Sequence, residues 1–355
     1  MNKNNKVFEM LDDAIIASDF LAENFLADGR YKVAETWGPE GLLYLAESSY
    51  ALFSIYEATG KKKYIDAVVS ILEELRQIQK PSGGWALEIG KHGDGLEFKV
   101  TDEIRRITSE LEDIPPTVAM LKVISDHHKL TGEPTYLEMG RKAFAFLMKH
   151  WDYDYGSFLE DPDHPILALR SNPKSYHLFS LLGVSSWKEH NTLKVEKILP
   201  YIVAFVKKVF EDFDSNTMPL VFGLHAAILM DFCDDEYVNQ VIKPKIESDL
   251  IYNKKFKIPG VPGAFGHRDG LRGIVKTEAH MRSAAGIAIA MKFFDLRMNT
   301  RLFRDSSMYA DISGWIQSMR GENAYYEFER LLTGEKLGQG SPGQYLPIWW
   351  ILGKI

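Results

Sequence analysis

The residues best suited to chemistry gather in one stretch, Gly266-His267-Arg268-Asp269-Gly270 with Arg272, followed by Glu278-Ala279-His280-Met281-Arg282. Glu278 or Asp269 could serve as acid or base, with His280 as a proton shuttle. Arg268, Arg272 and Arg282 carry the donor fork that clamps a carboxylate or sulfate. The periodicity places Glu278 and Arg282, four apart, on one face at the opening of a helix. The Ser283-Ala284-Ala285-Gly286 that follows would leave a lumen open at that level. Read structurally, the same residues make a helix ion pair and a capped turn.

Further candidates lie elsewhere. Trp37, Trp85 and Trp349 offer stacking faces, and His177 interrupts an otherwise apolar helix, as Glu47 and His225 do in theirs. A polar group there faces a wet lumen or is a satisfied core group, since unpaired burial is costly. Chemistry of other kinds lacks its residues. Cys233 is the single cysteine, so neither an intramolecular disulfide nor a cysteine-rich zinc site is available. Asp231-Phe232-Cys233 closes a helix instead of opening one, and helix-spaced His/Glu pairs for a metal are missing. No phosphate-cradling or dinucleotide glycine motif follows a strand. The sequence thus calls for no metal and no cofactor.

The elements that must position these groups are helices in pairs. Four times an apolar helical stretch ends in Gly, one residue, then an aromatic: Gly29-Arg30-Tyr31, Gly83-Gly84-Trp85, Gly156-Ser157-Phe158 and Gly263-Ala264-Phe265. Two units match further. Thr59-Gly60 with Tyr64, leading to Gly83, recurs as Thr131-Gly132 with Tyr136, leading to Gly156, with spacings that agree to within one residue. Such a repeat is expected of helix pairs that stack to share a core. The periodicity predicts outer helices over 8–27, 63–79, 135–150, 193–211, 235–249 and 301–319. Inner, more uniformly apolar ones are predicted over 39–59, 115–130, 174–189, 218–232, 276–296 and 343–352. The last inner helix would pair with the first outer one. Residues 1–355 then read as one domain, all-α, with the long loops 81–112, 151–173 and 250–275 on the rim where inner helices begin. Helix N-termini there favour anionic groups.

This layout resembles the (α/α)6 barrels, the α-α toroid group. That group holds six-hairpin glycosidases, polysaccharide lyases and sugar epimerases on one side, and terpenoid cyclases and protein prenyltransferases on the other. Leu75-Arg76-Gln77-Ile78-Gln79 with Gly83-Gly84-Trp85 is similar to the Gln…Gly-x-Trp repeat of the cyclases, and Tyr345-Leu346-Pro347-Ile348-Trp349-Trp350 to their closing helix. Asp212-Phe213-Asp214-Ser215 departs from their Asp-x-Asp-Asp acid at its last position. The charged, imidazole-bearing loops suit a hydroxyl-rich, uronic-acid-containing substrate better than a hydrocarbon.

The resemblance therefore implies a carbohydrate-active enzyme, with hydrolysis of an oligosaccharide as the first expectation, then elimination or epimerisation. Glu278, His280 and Asp269 would carry the chemistry. Arg268, Arg272, Arg282, Trp85, His177, Trp37 and Trp349 would hold the substrate. A cyclase-like toroid and a non-catalytic binding barrel are the alternatives. Composition fits one large globular unit: 45% hydrophobic, 12% aromatic and 26% charged residues. The net charge of -7, without basic stripes, argues against a nucleic-acid partner. No apolar run reaches membrane-spanning length, and the first residues form no secretory signal, so a cytoplasmic location is expected.

Overall fold

The computed structural model describes residues 3–25, 41–86, 112–159, 177–248, 255–269, 273–338 and 342–355. Helices run over Lys3–Phe20 (α1), Gly41–Thr59 (α2), Lys63–Ile78 (α3), Ile114–Thr131 (α4), Leu137–Lys149 (α5) and His177–Ser186 (α6). They continue over Thr192–Glu211 (α7), Pro219–Met230 (α8), Met281–Arg297 (α9), Ser307–Ser318 (α10) and Tyr345–Leu352 (α11), with a further helical run over 235–247. Short antiparallel pairs join Trp85–Ala86 (β1) to Glu112–Asp113 (β2) and Trp151–Asp152 (β3) to Ser157–Phe158 (β4). His267–Asp269 (β5) pairs with Gly273–Val275 (β6). Glu278–His280 (β7), Phe328–Arg330 (β8) and Glu335–Leu337 (β9) form a three-stranded sheet.

The expected helices are therefore found, with three differences of start: the one expected over 8–27 already begins at Lys3. The one expected over 276–296 begins at Met281, because Glu278–His280 pair as a strand. The one expected over 301–319 begins at Ser307, after a turn. Among the described residues no helix is long and apolar enough to cross a membrane.

The chain's contacts gather into two units, Leu21–Val206 and Met1–Phe20 with Lys207–Ile355. In the first, α2, α4 and α6 are buried on nearly every side, while α3 buries only Tyr64, Ile65, Val68, Ile71, Leu72 and Leu75, one stripe of an amphipathic helix. The sequence repeat recurs in its hydrogen bonds. Gly60 donates to Tyr56 O at 2.7 Å and Gly132 to His128 O at 2.8 Å. The preceding threonines bond back to Ile55 O and His127 O, each at 2.7 Å. Both glycines lie in the left-handed region, at φ 69° and 75°, which closes a helix at least cost in glycine.

In the second unit α1 packs on α11, the closing pair the sequence predicts, and α8 packs on α9. A Cβ at Gly223 would stand 1.9 Å from Gly286 O, so the backbones of α8 and α9 touch. Gly183 does the same for α6 and α4, where a Cβ would stand 2.0 Å from Val118 O. Ser283, Ala284, Ala285 and Gly286 are all buried. At Gly286 this smallness admits the neighbouring α8, and among the described residues the four are packed and do not line an open lumen, which corrects that expectation.

The far end of α9 is occupied by structure. Lys292 Nζ donates to Trp350 O at 2.7 Å and Ile351 O at 2.6 Å, capping α11. Arg297 Nε donates to Met230 O at 3.2 Å, capping α8. Cations suit helix C-termini, where carbonyls lack partners. Asp295, fully buried, accepts from Thr300 Oγ1 at 2.7 Å, Phe303 N at 3.3 Å and Arg304 N at 2.7 Å, and so shapes the turn into α10.

Three of the four Gly-x-aromatic turns are described, and in each the first glycine has positive φ: 108° at Gly83, 74° at Gly156 and 74° at Gly263. Each lies against the middle of the next amphipathic helix. A Cβ at Gly83 would stand 2.2 Å from Lys142 O of α5, and at Gly263 2.1 Å from Asp311 O of α10. At Gly156 the nearest atom, Tyr201 O of α7, is 3.6 Å away. Gly156→Ala should therefore cost only the left-handed strain, about 1–2 kcal/mol. Gly83→Ala and Gly263→Ala add a clash with backbone and should cost at least about 3 kcal/mol, read as shifts of the urea midpoint. Equal losses at all three positions would contradict this ranking.

Candidate functional site

The site is assembled where β7 runs into α9, within the unit Met1–Phe20 with Lys207–Ile355. The Gly263 turn leads to Phe265, whose carbonyl accepts from His280 N at 2.8 Å. In the sheet, His280 stands opposite Phe328 and Glu278 opposite Arg330. Side chains of directly opposed residues share a face. The His280 ring accordingly lies nearly parallel to Phe328, at 5.7 Å and 11°. His267, the first residue of β5, also lies against it, with ring centroids 4.7 Å apart. At the next step Met281 N donates to Glu327 O at 2.7 Å, and Glu327 N to Leu337 O at 3.0 Å. Arg282 then reaches Glu327, with Nε 2.7 Å from Oε1.

The electrostatics follow from this packing. Burial pushes His280 from the usual 6.5 down to about 3, helped by His267 and by the Arg282 cation. At neutral pH the ring is therefore an uncharged imidazole, able to donate from one nitrogen and accept at the other. Glu278 is partly exposed, and its Oε1 lies 3.9 Å from Arg330 Nε, a loose and solvent-weakened contact. Arg330 bonds Glu335 more closely, at 2.9 Å.

The structure thus brings together Glu278, His280 and Arg282, but not on a shared helical face. Glu278 belongs to the strand and Arg282 to the first turn of α9, and each finds its partner in or beside β8. Arg268, exposed on β5, donates to Asn216 O at 3.1 Å and ties β5 to the 214–217 turn. In that turn, hydrogen bonds from Asn216 hold Asp214 below the ordinary carboxylate range. An ionised turn-capping Asp214 is a poor choice for the alkene-protonating acid of a cyclase.

The predicted aromatic platforms are core. Trp85 is fully buried and donates from Nε1 to Leu75 O at 2.9 Å, so it presents no face for stacking. Trp349 is buried beside Tyr345, with ring centroids 4.6 Å apart. His177 belongs to the Leu21–Val206 unit, where it is buried with Nδ1 3.2 Å from Ser157 Oγ and its ring 4.4 Å from Phe205. These three corrections share one cause, the large area an aromatic ring buries when it packs. His225 is likewise buried, its Nδ1 2.8 Å from Val221 O. Trp37 and Arg272 lie outside the described residues, and so does the side chain of Asp269, whose main chain pairs with Gly273 in the β5–β6 hairpin.

Sequence reasoning missed Glu327 and Phe328 and gave His267 no role. The available signal was Tyr325-Tyr326-Glu327-Phe328-Glu329-Arg330, an aromatic–charged alternation typical of a strand. Among the described residues no group of three or more His, Cys, Asp or Glu is placed to hold a metal ion.

No protein-family model matches the sequence, and no curated protein matches it either. Solved structures do. A D-mannose isomerase superposes with TM-score 0.67 at 11% identity, covering 99% of this chain and 97% of that one. The cellobiose 2-epimerase from Spirochaeta thermophila gives 0.67 at 10%, covering 98% and 96%. An unsaturated glucuronyl hydrolase from Bacillus sp. gives 0.61 at 10%, again covering 98% and 96%. A type II terpene cyclase from Scytonema shares the fold at 0.55 and 13%, covering 99% and 98%. The fold class is the all-α (α/α)6 barrel.

The depressed His280 titration has a consequence for stability. The unfolded chain takes up a proton near 6.5 and the folded chain only near 3. Folding stability should thus fall as pH drops below about 6.5, by up to about 1.4 kcal/mol per pH unit from this group. In His280→Asn that contribution disappears. The stability gap between wild type and variant, measured by urea denaturation, should be constant above pH 7.5 and move by about 2 kcal/mol in the variant's favour at pH 5. A gap independent of pH would show that His280 is not held neutral.

Proposed function

We propose that this protein is a carbohydrate-active enzyme that moves a proton on a sugar, as an aldose–ketose isomerase or 2-epimerase does, at the His267–His280 pair. The observation that carries the reading is two imidazoles in ring contact, one of them kept neutral, at the start of a buried helix with Arg282 in its first turn. Neutral His280 can donate a hydrogen bond to the carbonyl oxygen of an open-chain sugar, which makes the neighbouring C–H more acidic. A neutral imidazole is used in this way in other proton-transfer sites. His267 then accepts the proton from C2 and returns it. Return to C1 on the same face, with the O2 hydroxyl proton relayed to O1 through His280, gives the ketose, and return to C2 after the enediolate has turned its other face to His267 gives the epimer. Arg282 offsets the charge that grows on the enediolate oxygens.

Hydrolysis, the first expectation from sequence, rests on two carboxyl groups facing each other across a glycosidic bond. Glu278 and Glu327 do not supply that arrangement here. One is half exposed beside Arg330, and the other is buried against Arg282. The isomerase and epimerase among the structural neighbours support the proton-transfer reading, and at their level of identity they do so as fold relatives only.

The test is proton magnetic resonance of D-mannose and cellobiose incubated with the protein in D2O. Expected is deuterium at C2 together with ketose or C2 epimer. His267→Asn and His280→Asn should each slow the exchange by at least about 100-fold, the scale of a lost acid–base group. Release of monosaccharide from cellobiose without C2 exchange would replace this reading with hydrolysis. Neither exchange nor release would overturn the choice of these sugars as substrates.

A further inference from the structure

Arg282 and Glu327 meet at 2.7 Å with side chains only 14% and 2% exposed. Stability alone gives little reason for such a pair. Withdrawing two charges from water costs several kcal/mol for each ion, and an apolar pair of similar volume often serves a fold as well or better. Glu327 is moreover pinned from three sides: its N to Leu337 O, its O to Met281 N, and Oε1 to Arg282. Its other carboxylate oxygen, Oε2, is buried without a hydrogen-bond partner. A buried polar atom left in that state asks for a functional account. The pinning is also what a guanidinium needs if it is to bind a ligand, since a long side chain fixed beforehand loses little freedom on binding.

We propose that Glu327 is the positioning residue of this site: it holds Arg282 beside His280 so that the guanidinium meets a carbonyl or hydroxyl oxygen of a sugar. The inference rests on the carbohydrate reading above and adds to it how the sugar is held. Recognition is by charge-assisted hydrogen bonds from one rigid guanidinium, and Glu327 acts on the ligand only through it.

The two residues should then behave as one unit in binding. The experiment is calorimetric titration of the full chain with D-mannose, cellobiose and D-glucuronate. Glu327→Gln and Arg282→Gln should each weaken the affinity at least about tenfold, and the double variant should be no weaker than either single one. A single charge left buried can unfold a protein, so a second pair of substitutions guards the test. Glu327→Leu combined with Arg282→Met should melt at or above the wild-type temperature and bind as poorly as the glutamine double variant. Wild-type affinity in the single variants, or losses that multiply in the double one, would overturn the positioning role while leaving the carbohydrate reading intact. A wild type that binds none of the three sugars would overturn both.

Discussion

At two of the described hand-overs from one helix pair to the next, the turn is decided by a glycine with no room for a side chain. At Gly83 and Gly263 the chain turns in the left-handed region while lying on a peptide carbonyl in the middle of the following amphipathic helix. Sterics forbid a Cβ twice there, once through φ and once through contact. The direction in which the next strand or helix leaves is therefore set by backbone against backbone, without an adjustable side chain between. At Gly263 the effect passes through Phe265, whose carbonyl bonds His280 N and so locates the imidazole. The candidate site inherits its register from that turn.

The two ends of α9 show the same residue types put to different uses. At its C-terminal end, Lys292, Asp295 and Arg297 have their hydrogen bonds met by main-chain carbonyls, main-chain amides and near neighbours. Charge there satisfies peptide groups that a helix end leaves over. At the N-terminal end the polar groups instead face one another. Two imidazoles touch, a guanidinium stands near a neutral ring, and a carboxylate keeps one oxygen unbonded. Groups that complete the fold and groups that could act on a ligand are thus told apart by their partners, not by their burial.

Much of the helical layout was legible because it is written in local signals. Apolar periodicity gave the helices, and Thr-Gly and Gly-x-aromatic gave their ends, since both depend on residues only a few positions apart. The site was legible only as a neighbourhood. Glu278-Ala279-His280-Met281-Arg282 has the composition of a helix start, yet its first three residues pair with a strand some 50 residues later. Tertiary pairing outweighed propensity, as it commonly does for short strands. Glu327 could not be found locally, because its meaning lies in Arg282, far away in sequence. Trp85, Trp349 and His177 were misread for the opposite reason. Their types suggest binding, and only the packed structure reveals that neighbours already cover them.

The pairing of α1 with α11 bears on how the molecule is made. The unit Leu21–Val206 is continuous in sequence and can close as soon as it has left the ribosome. The other is split: α1 is synthesised more than 300 residues before its partner α11. Until α11 emerges, the buried stripe of α1, with Ala14, Ala17 and Ser18, lacks the helix it packs on. Translation proceeds at about 5–20 residues per second, so that exposure lasts tens of seconds. The vulnerable period for this pair comes during synthesis, and α1 is the segment that a chaperone would have most reason to hold.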